Sequence, residues 1–284
     1  MPAKLLSPQT TDKFIEIMKE STPLLKLINF VKLNDPICSY PLLTLSRFKT
    51  RPVGRKEIAE LKTVNDFTVN FSAKEVILPL LIPDSYIEDM NSSHEKVANY
   101  VAKVFAMDLQ YLIVNGDKSV TGTDDKTTLQ RVLDGVVAQI NAADKTITTA
   151  SDTTAMGKIK ALVDKLEPTT LSDPDLQIWV GQQTYTQIWD DIATKSSKNS
   201  LFLKDGKIFY RGRLEVVEIP ELDHIIAINP DHVIAGLCRD ITLETQRHPE
   251  GRGNKVVVTA RIDLQVVTEA CLMTSGVNTA TTTP

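Results

Sequence analysis

The sequence predicts an α+β chain, and three features carry that prediction. Val256, Val258, Ala260, Ile262, Leu264 and Val266 are apolar at alternate positions, the period of a half-buried strand. Val97, Val101, Val104, Phe105, Leu109 and Leu112 recur at spacings of three and four, the period of an amphipathic helix. Between them, strand-like and helix-like segments alternate.

The 284 residues suffice for one large core or two smaller ones. The net charge of -4 argues against a chain whose main task is wrapping nucleic acid, because phosphate binding needs Lys and Arg in excess. Cys38, Cys238 and Cys271 are odd in number, and no pair sits at Cys-x-x-Cys spacing. They are expected as packing residues in a reducing compartment, not as a disulfide framework or zinc site. Lys4, Asp12, Lys13, Glu16, Lys19 and Glu20 interrupt any signal-like apolar stretch. The longest nearly pure apolar run, Val76 to Ile82, is too short to span a bilayer. A soluble protein made in a cytoplasm, with no membrane partner and no cofactor, is therefore expected.

In chain order, Thr11 and Asp12 suit a helix start, and Phe14, Ile17 and Met18 form an apolar stripe that Ser21-Thr22-Pro23 ends. One short stripe is marginal alone and needs something to dock on. From Asn34 to Leu78 the sequence reads as a long hairpin. Arg47, Lys49, Arg51, Arg55 and Lys56 make its middle basic, and Pro52 and Gly54 mark a turn. Phe67, Val69 and Phe71 alternate with polar residues on the return strand. A two-stranded ribbon of this length is weakly stable by itself, so it is expected to lie on a neighbouring molecule.

The long helix is placed at Ser93 to Val114, a rod of roughly 30 Å, closing at Asn115-Gly116-Asp117 with Gly116 as a left-handed cap. Asp117 to Thr128 reads as a loop and Leu129 to Ala142 as helical. A helix carrying Ile159, Leu162, Val163 and Leu166 follows, then a strand at Leu176–Val180 and a helix at Gln183–Ala193. Lys204-Asp205-Gly206-Lys207 signals a turn between Leu201–Leu203 and Ile208–Tyr210. Leu214–Ile219 and Ile225–Ile228 are strands. Ile241, Leu243 and Thr245 offer a partner for the final alternating strand, with the turn at Pro249–Asn254. The Thr-rich end after Met273 is expected to be a mobile tail. Trp179 and Trp189 are expected in the core.

Chemistry is hard to find in this sequence. Gly251-Arg252-Gly253 completes neither a phosphate loop nor a dinucleotide fingerprint, and there is no Gly-x-Ser-x-Gly or His-Glu-x-x-His. His224 and His232 adjoin Asp223 and Asp231, but at no known metal-ligand spacing. The basic run is the sharp charge feature. It fits a nucleic-acid contact, a solvated loop tip, or a contact with acidic surface on a neighbour.

The order of these segments resembles the tailed-phage major capsid family, which has the Hong Kong 97 fold. Ile82-Pro83-Asp84-Ser85-Tyr86-Ile87-Glu88-Asp89 resembles the family's entry to its spine helix, and Leu112-Ile113-Val114-Asn115-Gly116-Asp117 its exit. Arg211-Gly212-Arg213-Leu214-Glu215-Val216-Val217 resembles a strand entry in the outer domain. Asp240-Ile241-Thr242-Leu243-Glu244-Thr245 and Ala260-Arg261-Ile262-Asp263 resemble the two returning strands. The resemblance spans nearly the whole chain. It implies an N-terminal arm at 1–33, an extended loop at 34–78, a peripheral domain at 79–128 with 240–273, an axial α/β domain at 129–239 and a tail at 274–284.

The implied function is a non-enzymatic shell subunit. Copies would assemble through hexamers and pentamers into the icosahedral head around double-stranded DNA, bound without sequence specificity. Portal, scaffolding or decoration proteins are the implied partners, and the virion, with the host cytoplasm during assembly, the implied location. The loop tip, Arg47, Lys49, Arg51, Arg55 and Lys56, and the arm, Phe14, Ile17 and Met18, would contact neighbouring subunits. The arm begins at Met1, so a separate scaffolding protein is expected. Lys49, Lys56 and Lys62 are available for the lysine–asparagine crosslink of some relatives, but no matching asparagine is identified. The alternatives are an encapsulin-type compartment shell, a soluble α+β enzyme with a site of scattered residues, and a nucleic-acid binder using the basic run.

Overall fold

The computed structural model describes residues 17, 20–44, 65–84, 94–149, 154–194, 201–248 and 250–274. Its long helix, α2 (His94–Asn115), lies where the spacing of apolar residues puts it. Val101, Ala102, Phe105, Ala106, Leu109, Leu112 and Ile113 form its buried stripe. The stripe packs on a four-stranded sheet in the order β1 (Asn29–Lys32), β11 (Val233–His248), β12 (Gly253–Val266) and β4 (Lys74–Pro83). β1 runs parallel to β11, and the other pairings are antiparallel.

Alternation along β12 decides which face meets the helix. Val256, Val258, Ala260, Ile262 and Leu264 are buried, while Lys255 points to solvent. A short helix, α1 (Pro23–Leu27), adds Leu24 and Leu25 to the same core, and Ile17 packs at its margin. Pro23, expected to end a helix, also opens this one, since its missing N–H is no loss at a first helical position.

The second sheet has seven strands, in the order β5 (Thr146–Ile147), β13 (Leu272–Thr274), β10 (Ile226–Ile228), β6 (Gln177–Val180), β9 (Leu214–Glu218), β8 (Lys207–Tyr210) and β7 (Leu201–Lys204). Its two faces serve two cores. Ile178, Val180 and Ala227 meet helices α5 (Ala155–Lys165) and α6 (Gln182–Thr194). Trp179, Ile226, Ile228 and Met273, on the alternate positions, join the core of the long helix. Residues on successive positions of one strand thus lock the two sheets together.

Several expectations change in the structure. Gly116 is not in the left-handed region. It is glycine because a Cβ there would lie 2.5 Å from the Leu133 carbonyl oxygen and 2.6 Å from that of Leu112. The expected loop 117–128 contains the start of helix α3 (Asp125–Gln130), capped by the Asp124 side chain, which accepts from the Thr127 amide. α4 (Val136–Ala142) follows, and with Leu133 it packs in the core of the long helix. Trp179 is 1% exposed, but Trp189 is 37% exposed on α6, outside the core in which it was expected. β1 and β4 place residues 29–32 and 74–78 in the four-stranded sheet.

Phe105 sits where helix and sheet meet, 1% exposed. Phe105→Ala is expected to cost about 3–5 kcal/mol, lost transfer energy plus a cavity, read as a lower urea midpoint with an unchanged slope.

Candidate assembly surfaces

The predicted hairpin exists as β2 (Ile37–Thr44) paired antiparallel with β3 (Asn65–Ser72), from Ile37↔Ser72 to Thr44↔Asn65. The candidate contact residues at its tip, Arg47, Lys49, Arg51, Arg55 and Lys56, lie outside the described residues, as do Phe14 and Met18 of the arm. Ile17 is half-buried, and its carbonyl accepts a 2.6 Å bond from the Ser21 hydroxyl.

What the structure defines is how the hairpin is held at its root. Val69 and Phe71 are buried with Leu33 and Ile234 in a small separate core, with Cys38, Tyr40 and Cys238 at its edge. The Tyr40 and Phe71 rings meet edge to face at 6.5 Å. Gly236 on β11 makes the seat: a Cβ there would lie 2.6 Å from Leu33 Cδ1 and 2.9 Å from Phe71 Cδ1. The Ser72 amide donates to Asp263 Oδ2 at 2.6 Å, and Gln265 Nε2 donates to the same oxygen at 3.3 Å. Asp263 belongs to the expected polar face of β12, yet it is buried, because the hairpin root covers it. Sequence alternation could place Asp263 on that face but could not show what lies over it.

Beside the hairpin, the outer face of the four-stranded sheet carries an apolar stripe along the edge strand β4. Ile77 is 55% exposed and Leu81 is 51% exposed, with exposed Pro79 between them. The Asp84 amide donates to the Arg252 carbonyl, so amides at even positions of β4 face β12 and those at odd positions face the open edge. Pro79 and Pro83 fall on the open side and remove two donors from it. That blunts the edge against pairing with a foreign strand while leaving the apolar side chains available. The long helix exposes Tyr100 and Met107 on its outer side.

The sequence-flagged histidines do not come together in a shared site among the described residues. His224 Nδ1 lies 2.9 Å from the Thr274 carbonyl oxygen, and buried Nδ1 of His232 has no hydrogen-bond partner among the described residues. Among the described residues no group of three His, Cys, Asp or Glu side chains could hold a metal ion. All three cysteines are free thiols, and burial pushes the Cys271 thiol up to about 11, which suits a packing residue. Among the described residues no helix is long and apolar enough to cross a membrane.

No family model matches the sequence, and no curated protein does. Solved structures do. A chain of the satellite phage P4 procapsid, a structure that includes the size determination protein, aligns over 93% of this chain and 98% of its own, at 17% identity and a TM-score of 0.69. A Microbacterium phage Oxtober96 chain aligns over 97% and 94%, at 14% identity and 0.56. The holo-SrpI encapsulin complex of Synechococcus elongatus PCC 7942 contributes a chain aligning over 91% and 89%, at 10% identity and 0.57. The chain has the Hong Kong 97-like capsid fold. That fold spans nearly the whole chain, as the order of sequence segments implies, and the chains that share it include one of a procapsid and one of an encapsulin complex.

Two outcomes test this geometry. Asp263→Ala would remove the charged acceptor of the Ser72 amide, at a cost of about 1.5–3 kcal/mol, the range for a hydrogen bond to a charged group. Hydrogen exchange at Ser72 should accelerate at least tenfold, while amides of the long helix keep their protection. On that helix, burial and then the field of Glu221 raise the pKa of Asp108. A raised acid pKa means that the folded chain holds the proton more tightly than the unfolded chain. Asp108 therefore disfavours folding at neutral pH, and the penalty fades as pH falls through the raised value. Asp108→Asn should raise the urea midpoint at pH 7 and leave it unchanged near about pH 3, where both states are largely protonated.

Proposed function

We propose that this chain is the major capsid protein of a tailed bacteriophage, assembling through hexamers and pentamers into a closed shell around double-stranded DNA. The observation that carries the reading is the fold likeness to a procapsid chain over 93% of this chain and 98% of the other. The surfaces support it. A hairpin rooted in its own small core and an apolar stripe on a sheet edge are features that a single copy leaves in water and a lattice of copies would cover.

In this reading residues 1–33 form the arm and 34–78 the extended loop. Residues 79–128 with 240–273 form the peripheral domain, 129–239 the axial domain and 274–284 the tail. Phe14, Ile17 and Met18 would bind a neighbour through the arm, and Arg47, Lys49, Arg51, Arg55 and Lys56 through the loop tip. Portal and scaffolding or decoration proteins would complete the head, and the protein would reside in the virion after assembly in the host cytoplasm. Its task is assembly, without catalysis or a cofactor.

A second reading, an encapsulin-type compartment shell, is favoured by the likeness to the Synechococcus encapsulin chain. Negative-stain microscopy with light scattering, on the chain expressed with and without its candidate scaffolding partner, tests both. Closed shells or stable hexamers and pentamers are expected. Nuclease-resistant DNA in native particles would support the phage head, and a copurifying cargo enzyme the compartment. A monomer under every condition would overturn both readings.

A further inference from the structure

The chain divides its charge unevenly. From Pro36 to Lys56 it has five bases and no acid, whereas from Leu166 to Thr194 it has five acids and no base. The charge outside the basic run is therefore -9, the chain's -4 less the run's +5. Arg47, Lys49 and Arg51 are two apart, the spacing that sets side chains on one face of an extended strand.

The acid-only stretch forms one wall of a cavity of about 340 Å³. Asp175 stands on that wall, Asp231 on the turn after β10 and Glu215 on β9, with Phe209 beside them. The walls are tied together. Asp173 accepts from Asn229 Nδ2 at 2.7 Å and from the Asp175 amide at 3.1 Å, and Asn229 Oδ1 accepts from the Asp231 amide at 2.9 Å. Asn229 is itself buried, so these bonds fix the loops rather than the solvent side of the cavity. The two cations at the rim are Lys26 and Arg213, and Arg213 donates to the Asp173 carbonyl. Glu215 is paired with Lys207 at 2.7 Å. The Asp175 and Asp231 side chains are exposed and form no ion pair among the described residues.

We propose that this cleft receives the basic loop tip, Arg47–Lys56, of a second copy of the chain, with Asp175 and Asp231 as its acceptors. The inference rests on the shell reading, because it needs copies side by side. Charge steers the encounter and selects the register, and the rigid walls keep two carboxylates fixed for the closely spaced cations of the run. Such a contact weakens with salt, since both partners are exposed.

Two measurements test it. A fluorescent peptide of residues 45–56 is titrated into the full-length chain by anisotropy at low salt. Binding is expected, at least tenfold weaker to Asp175→Lys with Asp231→Lys, and unaffected by the same charge change at Asp125 and Asp223, which lie outside the cleft lining. Equal losses from both pairs, or none from either, overturn the proposal. In the whole chain, Asp175→Lys with Asp231→Lys should slow assembly followed by light scattering, and adding Lys49→Glu with Arg51→Glu should restore it in part. If the wild-type chain assembles and the cleft variant does so equally, the cleft proposal fails and the shell reading stands. If the peptide binds at the cleft but no copies ever associate, the shell reading fails and the cleft remains a docking site for basic segments.

Discussion

Along most of their length β11 and β12 hydrogen-bond to each other, and the long helix and the hairpin root lean on opposite sides of that pair. One face of the pair carries the long helix, through Val233, Ala235 and Leu237 of β11 and the alternating apolar residues of β12. The other face carries the hairpin, through Ile234 and the seat at Gly236 on β11 and through Asp263 on β12. A pair loaded on both faces cannot slip its register, because a shift by one residue would swap the helix face for the hairpin face. The irregularities that do occur, between Leu237 and Thr242, lie just past the hairpin seat, where β11 leaves the doubly covered region.

The second sheet extends the same logic. Its strands are short, but the central ones, β6 and β10, are buried on both faces. Trp179, Ile226 and Met273 reach into the first core, while Ile178, Val180 and Ala227 reach into the second. Contact between the two halves of the chain is thus made of strand side chains rather than of a linker. A displacement of either half would have to unpack those residues from the long helix, so the helix and both sheets should respond to force as one body.

How much of this could be read in the sequence depends on whether a residue's neighbours are local. The long helix and β12 were legible, because one covered face produces a clean period of 3.6 or 2. The turn at Asp205-Gly206 was legible because both residues take positive φ, and the residue types announce it. The first half of β11 was not. Val233 to Cys238 is covered on both faces, so its apolar run has no period to detect. β1 was hidden for a related reason: four residues paired in parallel with a strand two hundred positions away leave no local mark. Among the assembly surfaces, the basic run and the hairpin strands were visible as charge and alternation. The hairpin's anchor at Asp263 and the cleft at Asp175 and Asp231 were not, since each is built by segments far apart in the chain.

The two kinds of surface left in water point to one style of association. On the edge strand β4, prolines withhold backbone donors while Ile77 and Leu81 present apolar side chains. At the cleft, Asp175 and Asp231 stand on cross-braced loops with no ion pair of their own among the described residues. Neither surface favours the merging of sheets between copies, which would be slow to correct once a wrong register formed. Side-chain contacts of modest strength can dissociate and form again, and many of them acting together still hold a closed assembly. A subunit that must find its place among many identical neighbours gains more from contacts that can be undone than from a few that cannot. Blunting the backbone edge and distributing attraction over apolar and charged side chains achieves this without weakening the paired core of β11 and β12.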